Sequence, residues 1–556
     1  MTEKKKGLFK SFPGTYWLTV TMEFFERGSY YGMMSILSVY MVEKLGFAKE
    51  SVGLIKGTIQ PILYFLPIIS GALADRFGYR RTLVVAFTLL SIGYLITSQM
   101  TAYSTVFLAL CVMALGAGTF KPVISGSIAR MTDSSNSTLG FGIFYWSINL
   151  GAFLFPMFLV PFLKQADPSW RWVIIASAIG TGIMLVPTLL FFKEPPMPEK
   201  KKEDQVDILH TIANAFEIIY SPFILLFIKA KAALKSARIL YTIIGLLTLL
   251  AAILLIITGS FSLAYIMLLV LGCFFILNVK AKSKGFSRFG DTSSSLILVA
   301  VGILMLWILP GLTLFSRIVT SVIYTTVFSL FKIDATDESK FSDYFKFLLL
   351  VCIYSGFWVL YFQMFDSVLW YVNDYIDATS LNNVVNKSLS FIGISNPHWH
   401  FDVEHVTVIN AGTIIVLQIL ISIIVRNTKA LPTMMFAIGL GTLGMAILAI
   451  NQNIWVFMLG IIIFSIGEMT AHPKFISYIG LTAPKERLAT FMGYIFLYGV
   501  IGSSVGAIVG AKLYVHFVDT LNQPRTLWLI FSMIGVITII SLFFYNKFLT
   551  PKETGK

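Results

Sequence analysis

The chain has 556 residues, of which 56% are hydrophobic and only 13% charged, with a mean hydropathy of +0.81, whereas an ordinary soluble domain carries about 25% charged residues. These proportions exclude a soluble globular protein and predict an all-α, polytopic membrane protein, because a span needs about 20 apolar residues and the chain offers at least a dozen such runs. The net charge of +14 is no sign of nucleic acid, since the basic residues sit in alternate loops beside apolar runs, as membrane orientation demands.

The first run, residues 15–42, reads TYWLTVTMEFFERGSYYGMMSILSVYMV and carries Glu23, Glu26 and Arg27 near its middle. An ionisable group at the centre of a membrane helix costs at least about 2.5 kcal/mol, so these three must face protein or a watery interior. At helical spacing Glu23, Arg27, Tyr30, Tyr31 and Met34 share one side, with Glu23 and Arg27 one turn apart. Two readings are open: this side lines an internal cavity, or the charges only lock two helices together.

Further runs predict helices at 52–74, 80–100, 104–130, 139–163 and 171–192, which complete a first group of six. Lys4, Lys5, Lys6 and Lys10 precede the group, Arg76, Arg80 and Arg81 follow its second helix, and Lys193, Lys200, Lys201 and Lys202 follow its sixth. By the positive-inside rule, both ends of this N-terminal domain, 1–192, are cytoplasmic. The C-terminal domain, 344–556, repeats the pattern with helices near 344–372, 404–425, 432–450, 455–481, 488–515 and 526–546. Arg426, Lys429, Lys485, Arg487, Lys547 and Lys552 place its inner loops and its end in the cytoplasm as well. Between them, 193–343 opens with the charged linker KEPPMPEKKKEDQVD and then offers apolar runs at 239–258, 263–279 and 294–332. Both flanks being cytoplasmic, the insert must cross an even number of times, two or four. Cys111, Cys273 and Cys352 lie inside apolar runs without the spacing of a disulfide framework or a metal site. No cofactor motif occurs either: Walker loop, H-E-x-x-H pair and nucleophile elbow are all absent, which leaves an ATP-driven pump or a membrane protease unsupported.

Two six-helix halves of parallel orientation are the layout of the major facilitator fold, in which a site lies between the halves near the midplane. The segment E-F-F-E-R-G-S-Y-Y-G, from Glu23, resembles the first helix of the proton-dependent oligopeptide transporter family, E-x-x-E-R followed by Y-Y-G. Similar stretches follow: YFLPIISGALADRFGYRR from Tyr64, GAGTFKPVISG with Lys121, FYWSINLGAF with Asn149, and GEMTAHP with Glu468. The chain departs from that family at Gly28, usually aromatic, at Met34, usually a second arginine, at Phe362, where a proton-linked glutamate is usual, and at Ile495, often a pocket tryptophan.

The residues also speak for themselves. Lys121 and Pro122 interrupt an apolar helix, where a lysine must face water or an acid and a proline loosens the backbone. Arg27 and Lys121 together make a positive pocket in one half, and Glu468 supplies the opposite sign in the other. Such a cavity fits a zwitterion of peptide length, carboxylate toward Arg27 and Lys121, amine toward Glu468. The alternative is that Lys121 and Glu468 pair with each other as an interdomain latch. Asn149 and Asn410 offer neutral hydrogen bonds to a peptide backbone. Tyr30, Tyr31 and Tyr64 shape the pocket or simply pack. Asp75 and Arg76, at the inner end of the second helix, are expected to brace the cytoplasmic face.

Proton coupling needs a carboxylate that is neutral in one state and charged in another. Glu23 and Glu26 are candidates. Asp366, one turn beyond Phe362, either replaces the missing glutamate or is a helix-end residue near the outer surface. His472, one turn from Glu468, is either a relay or a packing residue. The resemblance implies proton-coupled symport of di- and tripeptides across the cell membrane, with small peptides, protons and the lipid bilayer as partners. Two alternatives stand beside it: a related facilitator of another small charged solute, such as an amino acid or organic anion, and a non-transporting sensor.

Overall fold

The computed structural model describes residues 12–132, 136–195, short helical pieces between 218 and 250, 338–484 and 488–550. The chain divides into two compact units, Met1–Gln205 with Leu350–Lys556, and Val206–Leu349. The expected spans at 263–279 and 294–332 lie outside the described residues, as do Lys4, Lys5, Lys6, Lys10, Lys200, Lys201, Lys202, Lys485, Arg487 and Lys552. Of the run 239–258 only scattered helical residues from 243 to 250 are described.

The first half runs α1 (Gly14–Val39), α2 (Lys49–Phe77), α3 (Tyr79–Gln99), α4 (Tyr103–Arg130), α5 (Ser137–Leu154), α6 (Val160–Ala166), α7 (Arg171–Ile183) and α8 (Leu185–Leu190). A π-turn at Phe155–Leu159 joins α5 to α6 into one fifth span, and α7 with α8 make the sixth. The second half runs α9 (Glu338–Phe362), α10 (Ser367–Tyr375), α11 (Thr379–Phe391), α12 (His405–Val425), α13 (Ala430–Ile447), α14 (Ile454–Thr482), α15 (Leu488–Gly493), α16 (Leu497–Tyr514) and α17 (Pro524–Phe548). Among the described residues eleven helical segments are long and apolar enough to cross a membrane. The 26-residue α1, about 39 Å long at 1.5 Å per residue, has the length of a twelfth and differs by its three mid-helix charges.

The two halves repeat each other in their packing. α3 lies against α4, and α13 against α14. Each pair is brought close by glycine: a Cβ on Gly116 would lie 2.7 Å from the Leu90 nitrogen, and one on Gly444 would lie 2.6 Å from the Gly460 carbonyl oxygen. Without a hydrophobic force between helices in lipid, such small-residue seams carry the association. The halves meet each other along α2 with α16 and along α5 with α12.

The seventh span is not the continuous helix that the run 344–372 predicts. It ends at Phe362, tightens into a 3-10 turn at Gln363–Phe365, and restarts at Ser367 after Asp366, whose φ and ψ of −133° and −93° are not helical. Gln363 fixes the break from inside, donating to the carbonyls of Val359 at 2.9 Å and Gly506 at 3.0 Å and accepting from Ser367 at 2.7 Å. Irregular backbone at this depth is tolerated only where protein or a cavity satisfies it. A further helix, α11, follows the span and is too polar to cross the bilayer; the sequence reading had no element there.

Candidate functional site

On α1 the three charges form one buried cluster. Glu26 grips Arg27 with two parallel bonds, Nε to Oε2 at 2.5 Å and Nη2 to Oε1 at 2.7 Å, while Glu23 stands 3.6 Å from the same Nε. Helical spacing pointed to Glu23 as the partner, and the tighter one is the neighbour Glu26, whose flexible side chain turns toward the guanidinium. The Arg27 guanidinium also lies 4.9 Å from the Tyr30 ring centre and 6.0 Å from that of Tyr31, a cation–π arrangement that adds attraction in a dry site. Glu26 takes two of the guanidinium's N–H groups, and the remaining ones stay available to a ligand.

Lys121, on α4 beside Pro122, is different. Its ammonium lies 4.6 Å above the Tyr64 ring of α2, with the charges of Arg27, Glu26 and Glu23 in electrostatic range and no carboxylate within ion-pair distance among the described residues. Tyr64 in turn packs edge-on against Phe362, 5.8 Å between ring centres, and lies 6.4 Å from Tyr498 of α16. In the other half Glu468 of α14 accepts a 2.9 Å bond from the Asn410 amide of α12, which also donates to Ser465. Glu468 has no cationic partner among the described residues, and the tyrosines in its electrostatic reach come from both halves: Tyr31, Tyr145, Tyr354, Tyr361 and Tyr498.

Asp366 is no surface residue. It is 1% exposed and pairs with Lys56 of α2, Nζ to Oδ1 at 2.5 Å. The Lys56 ammonium, itself fully buried, also donates to the Phe365 carbonyl at 2.6 Å and to Ser38 at 2.9 Å, so all three of its protons are engaged. The Ser38 hydroxyl lies 2.6 Å from both the Phe365 carbonyl and Oδ1 of Asp366, and the Ser38 carbonyl accepts from the Trp370 indole. Within this cluster Oδ2 of Asp366 is buried without a partner. This pair joins the halves, and two others do the same: Lys49 to Asp374 and Asp519 at 3.4 and 2.8 Å, and Lys164 to Asp402 and Glu404 at 2.6 and 2.8 Å. Following the chain from span to span puts all of them at the end of the bundle opposite the termini.

The family model of the Major Facilitator Superfamily matches residues 19–393. The chain belongs to this superfamily. The facilitator is 26% identical over 218 residues to a dipeptide and tripeptide permease B of Photorhabdus luminescens, covering 37% of this chain and 44% of the permease. It is 30% identical over 195 residues to a dipeptide and tripeptide permease B of Salmonella typhimurium, covering 34% and 39%. These matches span less than half the length of either relative. In fold it is similar along nearly its full length to a peptide transporter POT solved with sulfate, with a TM-score of 0.60, 19% identity and 98% and 95% of the two chains covered. It is equally similar to a POT family transporter solved with 5-aminolevulinic acid, with a TM-score of 0.61, 20% identity and 98% and 99% covered. The facilitator is thus a multi-pass membrane transporter distantly related to the POT-family permeases, and no enzyme.

Its departures from that pattern have physical counterparts. At Gly28 a Cβ would lie 2.5 Å from the Phe155 ring, so Phe155, offered by the π-turn of the fifth span, fills the place of the missing aromatic side chain. Met34 and Phe362 are both buried, 2% exposed each, and a buried ion pair that the sequence analysis did not name, Lys56 with Asp366, links the same two halves. The sequence reading passed over Lys56, although a lysine two turns into an apolar run is a signal in its own right.

The remaining candidates are brought less closely to the cavity. The Asn149 amide donates to the Tyr145 carbonyl of its own helix at 2.9 Å. His472 makes no bond to Glu468; its Nδ1 lies 3.5 Å from the Tyr354 hydroxyl, with the rings of Trp358 and Tyr498 5.4 and 5.5 Å away. Lys121 and Glu468 are not paired with each other in this conformation. Asp75 lies in α2 with its side chain outside the described residues, and Arg76 is exposed with its guanidinium over Phe77. The visible bracing at that end falls to residues the sequence reading did not single out for it: Glu194 accepts from the backbone nitrogens of Tyr79 and Arg80 at 3.0 and 2.9 Å, and the Arg80 side chain reaches the Thr188 and Leu189 carbonyls.

Proposed function

We propose that the protein is a proton-coupled symporter of di- and tripeptides that works by alternating access, with its termini and the Arg80 end of the bundle in the cytoplasm. The observation that carries this reading is the pair of unneutralised groups in the two halves: Lys121 over Tyr64, without a carboxylate, and Glu468, held by an amide alone. A peptide carboxylate at Lys121 and its amine at Glu468 would complete both, with the tyrosines between them in contact with the backbone. Arg27, bonded to Glu26 through two of its N–H groups, offers the others to the same carboxylate, with Glu23 and Glu26 beside it as the proton-coupling carboxyls. A second coupling element is Asp366: protonation of its free Oδ2 would release Lys56 and with it one link between the halves. Three ion-pair links at the end opposite the termini support a state closed to the outside.

Labelled dipeptide uptake into proteoliposomes, with and without an inward proton gradient, tests the reading. Accumulation above equilibrium only with the gradient is expected; absence of uptake for every member of a broad peptide panel would reject the substrate assignment. The related facilitator of another small charged solute is favoured by one observation, the Phe362 ring packed against the Tyr64 ring that lies under the Lys121 ammonium, which puts apolar bulk beside that group. Competition by amino acids or 5-aminolevulinic acid, with none by dipeptides, would select it.

A further inference from the structure

The Lys164 cluster contains one acid too many. Lys164, at the end of the fifth span, bonds two carboxylates of the opposite half, Asp402 at 2.6 Å and Glu404 at 2.8 Å. The Glu404 side chain is 2% exposed and the Lys164 side chain 8%, while Asp402 is one-third open at 34%. With all three ionised, the buried link carries a net negative charge, and an uncompensated charge out of water is what a protein avoids by taking up a proton. Among the described residues no other cation bonds either carboxylate. His405 turns its Nδ1 to the Asp402 backbone, 3.0 Å from the nitrogen and 3.2 Å from the carbonyl oxygen, and its Nε2 is buried without a partner. His400 lies within electrostatic range of Asp402 and bonds Asn382. Lys44 faces the Trp170 ring at 4.8 Å, the ring that Lys164 itself covers at 4.1 Å.

The site is also built with care for its position. Trp170 holds its ring against Lys164 from a left-handed backbone, φ 60°, a conformation that is strained for a bulky side chain. The turn that imposes it is tied by Asp167, whose carboxylate accepts from the nitrogens of Ser169 and Arg171 at 3.0 Å each. The Lys164 side of the link is therefore held in place by its own turn.

We propose that closing this end of the transporter takes up one proton from the adjoining aqueous phase onto the Asp402–Glu404 pair, so that acid on that side holds the gate shut and alkali loosens it. The proposal rests on the alternating-access reading above, and not on the identity of the substrate. The two carboxylates divide the task as their surroundings suggest. For Asp402, partial burial is outweighed by the Lys164 charge and by hydrogen bonds from Lys164 and the Val403 nitrogen, which hold it below the usual carboxylate range. For Glu404, burial outweighs the Lys164 charge, and the group is pushed up to about 7. An opened, hydrated Glu404 returns to about 4.3. A group that binds its proton more tightly in the closed state favours closure as pH falls through the interval between those values, by at most about tenfold per pH unit. Asp402 acts in the opposite sense, and only below about pH 4.

The test reads conformation and needs no transport. Spin labels at Gln165→Cys and Asn383→Cys, exposed positions on the two halves at this end, are placed in a background with Cys111, Cys273 and Cys352 changed to serine. Distances are measured in full-length protein in nanodiscs from pH 8 to pH 5. The closed-to-open ratio is expected to rise several-fold to about tenfold per unit below pH 7. Glu404→Gln should stay closed with a flat profile, and Asp402→Asn, which leaves one acid per lysine, should lose the rise between pH 7 and 5. Lys164→Met should shift the ratio toward open when Glu404 is ionised. A flat wild-type profile, or an unchanged slope in both carboxyl variants, would overturn the proposal. Failure of peptide uptake in a protein that shows the expected profile would count against the substrate assignment alone.

Discussion

Buried charge is handled in two ways in this protein. On α1 the charges of Glu23, Glu26 and Arg27 find their partners within a single helix. At the end opposite the termini, Lys56 with Asp366 and Lys164 with Asp402 and Glu404 find theirs only across the two halves. A pair inside one rigid half survives any rocking of the halves, so it can serve as a permanent feature of the cavity. A pair across the halves has to break whenever that end opens, and removing one partner of a buried pair costs about 3–5 kcal/mol. Permanent polarity and breakable closure are thus built from the same chemistry, distinguished only by which elements the partners stand on.

The largest effect should come from breaking the permanent cluster. Arg27→Ala leaves two buried carboxylates without a cation, and is expected to abolish uptake and to cost about 3–5 kcal/mol in stability, seen as a lowered melting temperature. Wild-type uptake in this variant would remove Arg27 from the account. Next is the breakable pair. Lys56→Met alone should destabilise the closed conformation by a similar amount, while Lys56→Met with Asp366→Leu should recover most of it, because an apolar replacement of both partners is often neutral. Additive losses in melting measurements on the singles and the double would show that the two residues do not act together. Lys121→Ala sharpens the contrast from the other side, since its ammonium has no ion-pair partner among the described residues. Uptake should fall at least tenfold with a smaller loss of stability than in Arg27→Ala, because a cation–π contact and the longer-range attraction of Glu23 and Glu26 are lost rather than a bonded pair. The smallest change is expected from Asn410→Ala, which removes one charge-assisted hydrogen bond from Glu468; a rise in KM of roughly tenfold, equivalent to about 1.4 kcal/mol, is expected from concentration-dependent uptake.

What could be read in the sequence follows the same division. The spans were legible because lipid demands long apolar runs, and the α1 cluster because three charges in such a run stand out. Lys56 did not stand out: one lysine scarcely alters the hydropathy of the 23-residue segment Lys49–Gly71, and its partner lies more than 300 residues away. Lys164, Asp402 and Glu404 look like ordinary loop charges until the fold brings them together. The break at Gln363–Phe365 was hidden for another reason. Its residues are compatible with a helix, and it is the tertiary bonds of Gln363 to Gly506 and of Lys56 to Phe365 that make the non-helical backbone tenable. Lys121 and Glu468 were named as candidates from their cost in the membrane, whereas the hydrogen bond between Asn410 and Glu468 needed the structure to bring the two together.

The most direct measurement is gradient-driven accumulation of labelled dipeptide in proteoliposomes, run side by side with dipeptide exchange without a gradient, for the wild type and Asp366→Asn. The wild type should accumulate peptide under an inward proton gradient, and Asp366→Asn should lose accumulation while retaining exchange. Equal accumulation by both proteins would contradict the claim that the Lys56–Asp366 link couples the gradient to the opening of the halves.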